Sequence, residues 1–392
     1  MRKREANIEI MRLVLLALVV IVHVIASYRQ TRFIKFEANW QFASFWSSVG
    51  RLGAISFVLV SGFFYKAFKD RRVWDTIYRL LLPIFAFLPF YLFLELDRPF
   101  GEALGHVFLS LFTNDYNFYH LWFVQSFFIL SLMGPFLVCG IEKTGQREHK
   151  LFMIVLLAVT SGLPSFVYLT GLMWFDLSLF DARLLLFIGL FVTGAYIRKY
   201  PPGISVKTAG ILFAALQGLV VLGNVLYNSR HSPIYLIRLA RGEIGSLEEA
   251  AWIETYGLNV AFADDLNIIV VAAAVMMLIF FSKIQVQSPL AVFTARYAYG
   301  AYIIHVFWIE ILSRINGGAF NLFSDRWLDS PWYPLFAMVY ALVVYIFSLG
   351  TSIALGILHT FIRNGSDGSG KNPSSRRRIP EPRRRREGLP GG

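Results

Sequence analysis

Cysteine is almost missing from this chain of 392 residues, where Cys139 stands alone. One thiol excludes an intramolecular disulfide framework and a cysteine-ligated zinc site, and no metal site is expected from the remaining residues. Cys139 lies inside an apolar run, which makes it a packing residue. Charge is scarce too: 16% of the residues are charged, where a soluble domain carries about 25%. Acids are scarcer than bases, 25 Asp and Glu against 37 Lys and Arg, which gives a net charge of +12. That excess is not the footprint of a nucleic-acid partner, and none is expected. From Arg363 onward there are nine Lys or Arg and three Asp or Glu, so half of it (9 − 3 = +6) sits in the tail. Much of the rest flanks apolar segments, as cytoplasmic loops of membrane proteins do. No internal repeat is visible. What abounds is apolar: 56% of the residues are hydrophobic and the mean hydropathy is +0.56.

Apolar runs of around 20 residues recur along the chain, and each is long enough to cross a bilayer as a helix. The pattern predicts an all-α polytopic membrane protein with about ten transmembrane helices, at 8–28, 42–66, 76–96, 119–141, 151–172, 180–198, 206–227, 264–282, 293–314 and 332–361. Connections 66–72, 142–150, 198–207 and 283–289 hold most of the loop Lys and Arg and are expected on the cytoplasmic side. The opposite loops are richer in acids, such as Asp176 and Asp181, and the longest runs from about 228 to 263. An even helix number with basic ends puts both termini in the cytoplasm.

Met1-Arg2-Lys3-Arg4 and Ile25-Ala26-Ser27 resemble the two ends of a cleavable signal peptide. Glu9 and Arg12 interrupt the approach to the apolar region and His23 lies within it, so the segment is read as a retained helix. Residues 1–362 are expected to form the membrane domain. Beyond them, a Gly/Ser linker and the runs Arg376–Arg378 and Arg383–Arg386 cannot build a core. Residues 363–392 are therefore read as a disordered, Arg-rich cytoplasmic tail that sets orientation or meets anionic membrane lipids.

The first helix is the informative one. Eleven residues separate Arg12 from His23, which at ~100° per residue is three turns and about 20°, so the two share a face ~16 Å apart. Glu9 lies within about 40° of the same stripe. An Arg inside a span costs roughly 2.5–3.5 kcal/mol on insertion scales and belongs against protein or a wet cavity.

Arg12, ten intervening residues and His23, in a first helix entered by a basic N-terminus, resemble the membrane acyltransferase 3 family. Four further elements follow in that family's order. Ser61-Gly62 ends the second helix in a Phe-rich setting, although small residues there also serve close helix approach. Arg79-Leu-Leu-Leu-Pro83 is similar to an Arg-x-x-Arg-hydrophobic-Pro element, with Thr76 standing where the first Arg would be. His120-Leu-Trp122-Phe is similar to the family's His-Leu-Trp-Phe signature, and an aromatic belt alone would account for Trp122. Tyr297-Ala-Tyr299-Gly-Ala-Tyr302-Ile-Ile-His305 is similar to a Ser-Tyr-Gly-x-Tyr-Leu-x-His element. Its Tyr299, Tyr302 and His305 fall at i, i+3 and i+6 on one drifting helix face.

The resemblance implies a bacterial cytoplasmic-membrane O-acyltransferase that moves an acyl group, most often acetyl, from acyl-CoA to a hydroxyl of a cell-surface or exported saccharide. No bound cofactor is implied, since acetyl-CoA would be the donor substrate. It implies catalytic roles for His23, Arg12 and Glu9. Arg12 and Arg79 would bind the coenzyme, the latter otherwise a snorkelling anchor. His120, Trp122, Tyr299, Tyr302 and His305 would line the acceptor side. The residue types suit the chemistry: a base for the hydroxyl, positive charge or donors for the oxyanion, cations for an anionic coenzyme. His23 acts as general base or as the acyl carrier. Two other classes stay open from residues alone. A transporter or flippase would also line a path with Arg, Glu and His, and a structural membrane subunit would explain the tail.

Overall fold

The computed structural model describes residues 5–25, 37–69, 73–110, 120–170, 182–229, 266–315 and 330–368. The secondary structure of these residues is helical throughout. Helix α1 (Ala6–Ile25) lies at the centre and packs on most of its neighbours. Helices α2 (Ala38–Gly50) and α3 (Leu52–Phe63) form one apolar column broken at Arg51. Then come α4 (Val73–Leu94), a short α5 (Phe100–Ser110), α6 (Trp122–Lys143), α7 (Gln146–Leu157) with α8 (Leu163–Thr170), and α9 (Ala182–Lys199). The chain continues through α10 (Val206–Ser229), α11 (Ile268–Lys283), a short α12 (Pro289–Thr294), α13 (Ala298–Arg314) and α14 (Tyr333–Gly368).

Local chemistry sets several of these ends. Asn267 caps α11 by accepting from the Ile269 amide, and Ser288 caps α12 ahead of Pro289 in the first turn. Between α7 and α8 the helix widens into a π segment, Ala158–Gly162. Ser161 there donates to the Leu266 carbonyl at 2.6 Å, and Ser165 accepts from the Ile268 amide at 2.9 Å. These hydroxyls tie α8 to the start of α11 where no water would be present to satisfy those groups.

Burial orders the bundle. The apolar windows of α1 and of the α2–α3 column are 61% and 67% buried, against 22% for those of α4, α10 and α14. So the first two columns form the interior, and the others turn most of their surface outward. Interior helices approach through glycine. A Cβ on Gly62 of α3 would overlap the Phe191 carbonyl, and one on Gly194 of α9 the Leu59 carbonyl. Gly300 of α13 instead meets side chains, the Ser352 hydroxyl of α14 and the Phe87 ring of α4. Lipid offers little hydrophobic incentive for helices to associate, so such close backbone contact carries much of the packing.

Seven described helices are long and apolar enough to cross a membrane, fewer than the ten expected from the sequence. The other three expected spans fall on α9, α11 and α13. Helix α11 is apolar but has 16 residues, ~24 Å at 1.5 Å per residue and short of a ~30 Å hydrocarbon core. Helix α13 has 17 residues and holds Glu310 and Arg314, while α9 holds Arg183, Arg198 and Lys199. Helices α5 and α12 were not visible in the hydropathy pattern. The final helix runs to Gly368, past the expected boundary at 362. Asp176, Asp181, nearly all of the long 228–263 connection and residues 369–392 lie outside the described residues.

One end of the bundle is basic and tied by polar contacts. Arg198 binds Glu5 at 2.7 Å and Lys69 binds Glu142 at 2.6 Å. Lys199 donates to the Ile141 and Thr144 carbonyls, and Lys283 to that of Pro202. This is the end at which α1 begins.

Gly194→Ala should destabilise the protein by roughly 1–3 kcal/mol, because its methyl meets fixed backbone rather than a side chain able to move. Gly218→Ala on α10, whose Cβ would enter open space, should be neutral or slightly stabilising. Apparent melting temperatures of the two purified variants check this.

Candidate active site

Glu9 is 2% exposed, and its carboxylate accepts from Arg12 Nη1 at 3.2 Å, one turn along α1. The Arg12 side chain keeps 27% of its surface, and its guanidinium carbon stands 5.5 Å from the centre of the Phe64 ring. A buried ion pair returns its desolvation cost only when its geometry is good, so this pair is weak evidence for stability. What it does is hold a cation inside an apolar bundle.

Arg12 opens onto a cavity of about 200 Å³ lined also by Ser61 of α3, Leu80 of α4, Phe123 and Phe127 of α6, and Arg296, Tyr299 and Tyr302 around the start of α13. Two arginines thus share one small chamber. Tyr299 is fixed there by donating to the Leu80 carbonyl at 3.2 Å. Ser61 donates to the Phe57 carbonyl in its own helix at 2.9 Å.

Tyr302 marks the inner end of this cavity and begins the next feature. Its hydroxyl donates to the His120 carbonyl at 2.5 Å, and its ring lies 5.5 Å from that of His305. His305 stands 5.0 Å from His23 and 5.3 Å from His120, centre to centre. Three histidines from α1, α13 and the turn before α6 therefore form one cluster. Both His120 and His305 are fully buried. Among the described residues, no three His, Cys, Asp or Glu side chains are placed to hold a metal ion.

The hydrogen bonds assign protons. His305 Nδ1 meets the Tyr302 carbonyl, which accepts only, so Nδ1 carries the proton and Nε2 bears a lone pair. That Nε2 is buried with no hydrogen-bond partner among the described residues. Tyr91 of α4 donates to the Ile303 carbonyl. With its proton there, the contact of 3.0 Å to His120 Nε2 is an N–H donating to the tyrosine oxygen.

Arg12 faces the cavity beside α13 and His23 faces His305 of the same helix. The shared stripe on α1 predicted from 100° spacing is thus directed inward, against α13. Tyr299, Tyr302 and His305 step from the cavity to the cluster. His120 joins them. Trp122 does not: it is half-buried against Phe187 of α9, at 6.0 Å, with Arg183 over its ring at 5.1 Å. Arg79 is exposed on α4 and does not line the cavity, although its neighbour Leu80 does.

Sequence reasoning missed three residues. Arg51, at the break between α2 and α3, lies near enough to His23 for their charges to interact. An arginine interrupting the second apolar run was the signal for it, by the same cost that singled out Arg12. Arg296, inside the expected span 293–314, and Tyr91, inside 76–96, were not singled out.

A protein-family model described as an acyltransferase domain matches residues 5–355. No curated protein matches the chain, and neither does any solved structure.

Removing only the cation should cost more than removing the pair. Arg12→Gln takes a cation away from the buried Glu9 carboxylate, at about 3 kcal/mol. The Glu9→Gln/Arg12→Gln double variant should melt at a higher temperature than Arg12→Gln alone.

Proposed function

We propose, for a chain that belongs to the acyltransferase 3 family, that it is an O-acetyltransferase moving an acetyl group from acetyl-CoA to a saccharide hydroxyl. The single observation that carries this reading is Tyr302, which lines the two-arginine cavity and touches the histidine cluster. A charged chamber for an anionic donor and a set of proton acceptors are thus one side chain apart.

In this reading Arg12, held by Glu9, and Arg296 meet the donor. A chamber of about 200 Å³ is smaller than the ~300–1,000 Å³ pockets that enclose whole small molecules. Only the thioester arm and adjoining phosphate would enter, leaving the rest of the coenzyme to the surface where exposed Arg79 stands. His23 takes the acceptor proton as the hydroxyl attacks the thioester carbon. The C–S bond breaks, the ester C–O bond forms, and the proton passes to the departing thiolate, giving free coenzyme thiol. His305 Nε2 supplies a second acceptor beside His23, and Arg51 offsets negative charge as it develops. A covalent acetyl-His23 intermediate is the variant of this route in which the imidazole attacks first.

Orientation follows from charge. The basic end of the bundle, where α1 begins, belongs in the cytoplasm by the positive-inside tendency. It is also the end nearer the arginine cavity, which suits a donor supplied from that side. His23 is ~16 Å further along α1, toward an acceptor presented outside, and the bacterial cytoplasmic membrane is the setting this fits.

Purified protein in nanodiscs, given acetyl-CoA and envelope saccharides of its host, should release free thiol only when acceptor is present. His23→Ala should lower that rate by about 10²–10⁴-fold or more while leaving the melting temperature near wild type. Full activity in His23→Ala, or saccharide uptake into liposomes without thiol release, would contradict the reading. Arg296→Ala should raise the KM for acetyl-CoA by roughly 10-fold or more, the loss of one charge-assisted contact. Arg79→Ala should do so less, and steady-state kinetics in acetyl-CoA compares them.

A further inference from the structure

A second cavity lies on the other side of the histidine cluster. It measures about 420 Å³ between α4 and α5 and is lined by Ile84, Phe85, Leu88, Tyr91, Leu104 and Phe108, with Gly101 and Gly105 in its wall. Its lining is apolar but for the Tyr91 hydroxyl. Its floor is buried, with Tyr91 2% exposed, while Phe85 and Phe108 at its mouth are 53% and 54% exposed. Gly101 and Gly105 fall four apart, on one face of α5, and an added Cβ at either would meet nothing within 4 Å. Glycines at this spacing normally admit a neighbouring helix. Here they widen a cleft instead.

We propose that this cleft binds the hydrocarbon chain of a lipid-anchored saccharide acceptor. Three observations select that occupant. The cleft lies alongside α4 residues 77–94, one of the seven candidate spans, so hydrocarbon is what surrounds its mouth. Its floor abuts the candidate active site, because Tyr91 in that floor contacts His120 at 3.0 Å and the His120 and His305 rings stand 5.3 Å apart. One turn beyond Tyr91, Glu95 accepts from Arg98 at 2.6 Å and pairs with His106 at 3.4 Å, a charged cluster just past the apolar span. A chain in the cleft therefore leaves its polar head beside both the charged cluster and the histidines. Helix α5, short and outside the expected spans, forms the second wall.

The proposal rests on the acyltransferase reading, and the test separates the two. Wild type and Gly105→Leu would be assayed in nanodiscs with acetyl-CoA and two acceptors, glucose and hexadecyl glucoside. Wild type should use the hexadecyl acceptor with a KM at least 10-fold lower. Gly105→Leu, whose Cβ meets none of the described atoms within 4 Å so that the side chain projects into the cleft, should lose that advantage and keep its rate on glucose. A diazirine-bearing hexadecyl glucoside should label Phe85, Leu104 or Phe108 in wild type, read by mass spectrometry, and not in Gly105→Leu. Labelling of the cleft with no acetylation of either acceptor supports the chain site and sinks the transferase reading alone. Equal KM values for the two acceptors, label elsewhere, or label displaced equally by bulk phospholipid would overturn the proposal.

Discussion

A charged pair inside an apolar helix bundle constrains much else about this protein. Glu9 and Arg12 sit one turn apart on a helix that buries Leu15, Leu16 and Val19 against its neighbours. Exposing such a pair to lipid is costly, so the chain must surround it. It does so with the α2–α3 column, α4, α6 and α13, and the space left at their meeting is the two-arginine cavity. The cavity is then a consequence of housing the pair. Its second cation, Arg296, enters from the turn before α13, and the pair fixes where α13 must lie.

From that placement the histidines follow. Helices α1 and α13 run in the same direction, with Arg12 near Tyr299 at one level and His23 near His305 further along. Tyr302 sits between the levels and anchors the turn that carries His120. Hydrogen bonds to carbonyls, which cannot donate, hold His305 in one tautomer and leave an acceptor atom in a dry interior. Polar groups buried this way need a use or a partner. Another buried histidine, His149, is held in the same way: its Nε2 donates to the Val192 carbonyl at 3.0 Å, joining two helices, and its Nδ1 has no hydrogen-bond partner among the described residues.

Much of this arrangement could be read in the sequence, for identifiable reasons. A helix has a fixed angular period, so Arg12 and His23 declared a common face, and the Tyr299, Tyr302 and His305 steps declared another. Charge in an apolar run is expensive, so Arg12 stood out, and Arg51 stood out by the same logic without being weighed. Gly62 read correctly as a point of close approach, which the Phe191 carbonyl confirms. Periodicity has no purchase on contacts between distant segments. Tyr91 meets Ile303 across 212 positions of the chain, and nothing near Tyr91 announces it. Trp122 carries the right motif but packs toward Arg183, because its direction depends on α9. Hydropathy placed ten spans, and among the described residues seven have the length and apolarity to cross a membrane; α11 and α13 are apolar but short.

On the proposed reading one site runs from Arg12 and Arg296 past Tyr302 to His23. An experimental structure with a non-hydrolysable acetyl-CoA analogue bound tests it most directly. The account predicts the thioester arm in the Arg12 and Arg296 cavity, its reacting carbon at Tyr302 and directed toward His23 and His305. An analogue seated with its reacting carbon outside that cavity, or separated from His23 by packed side chains, would contradict it.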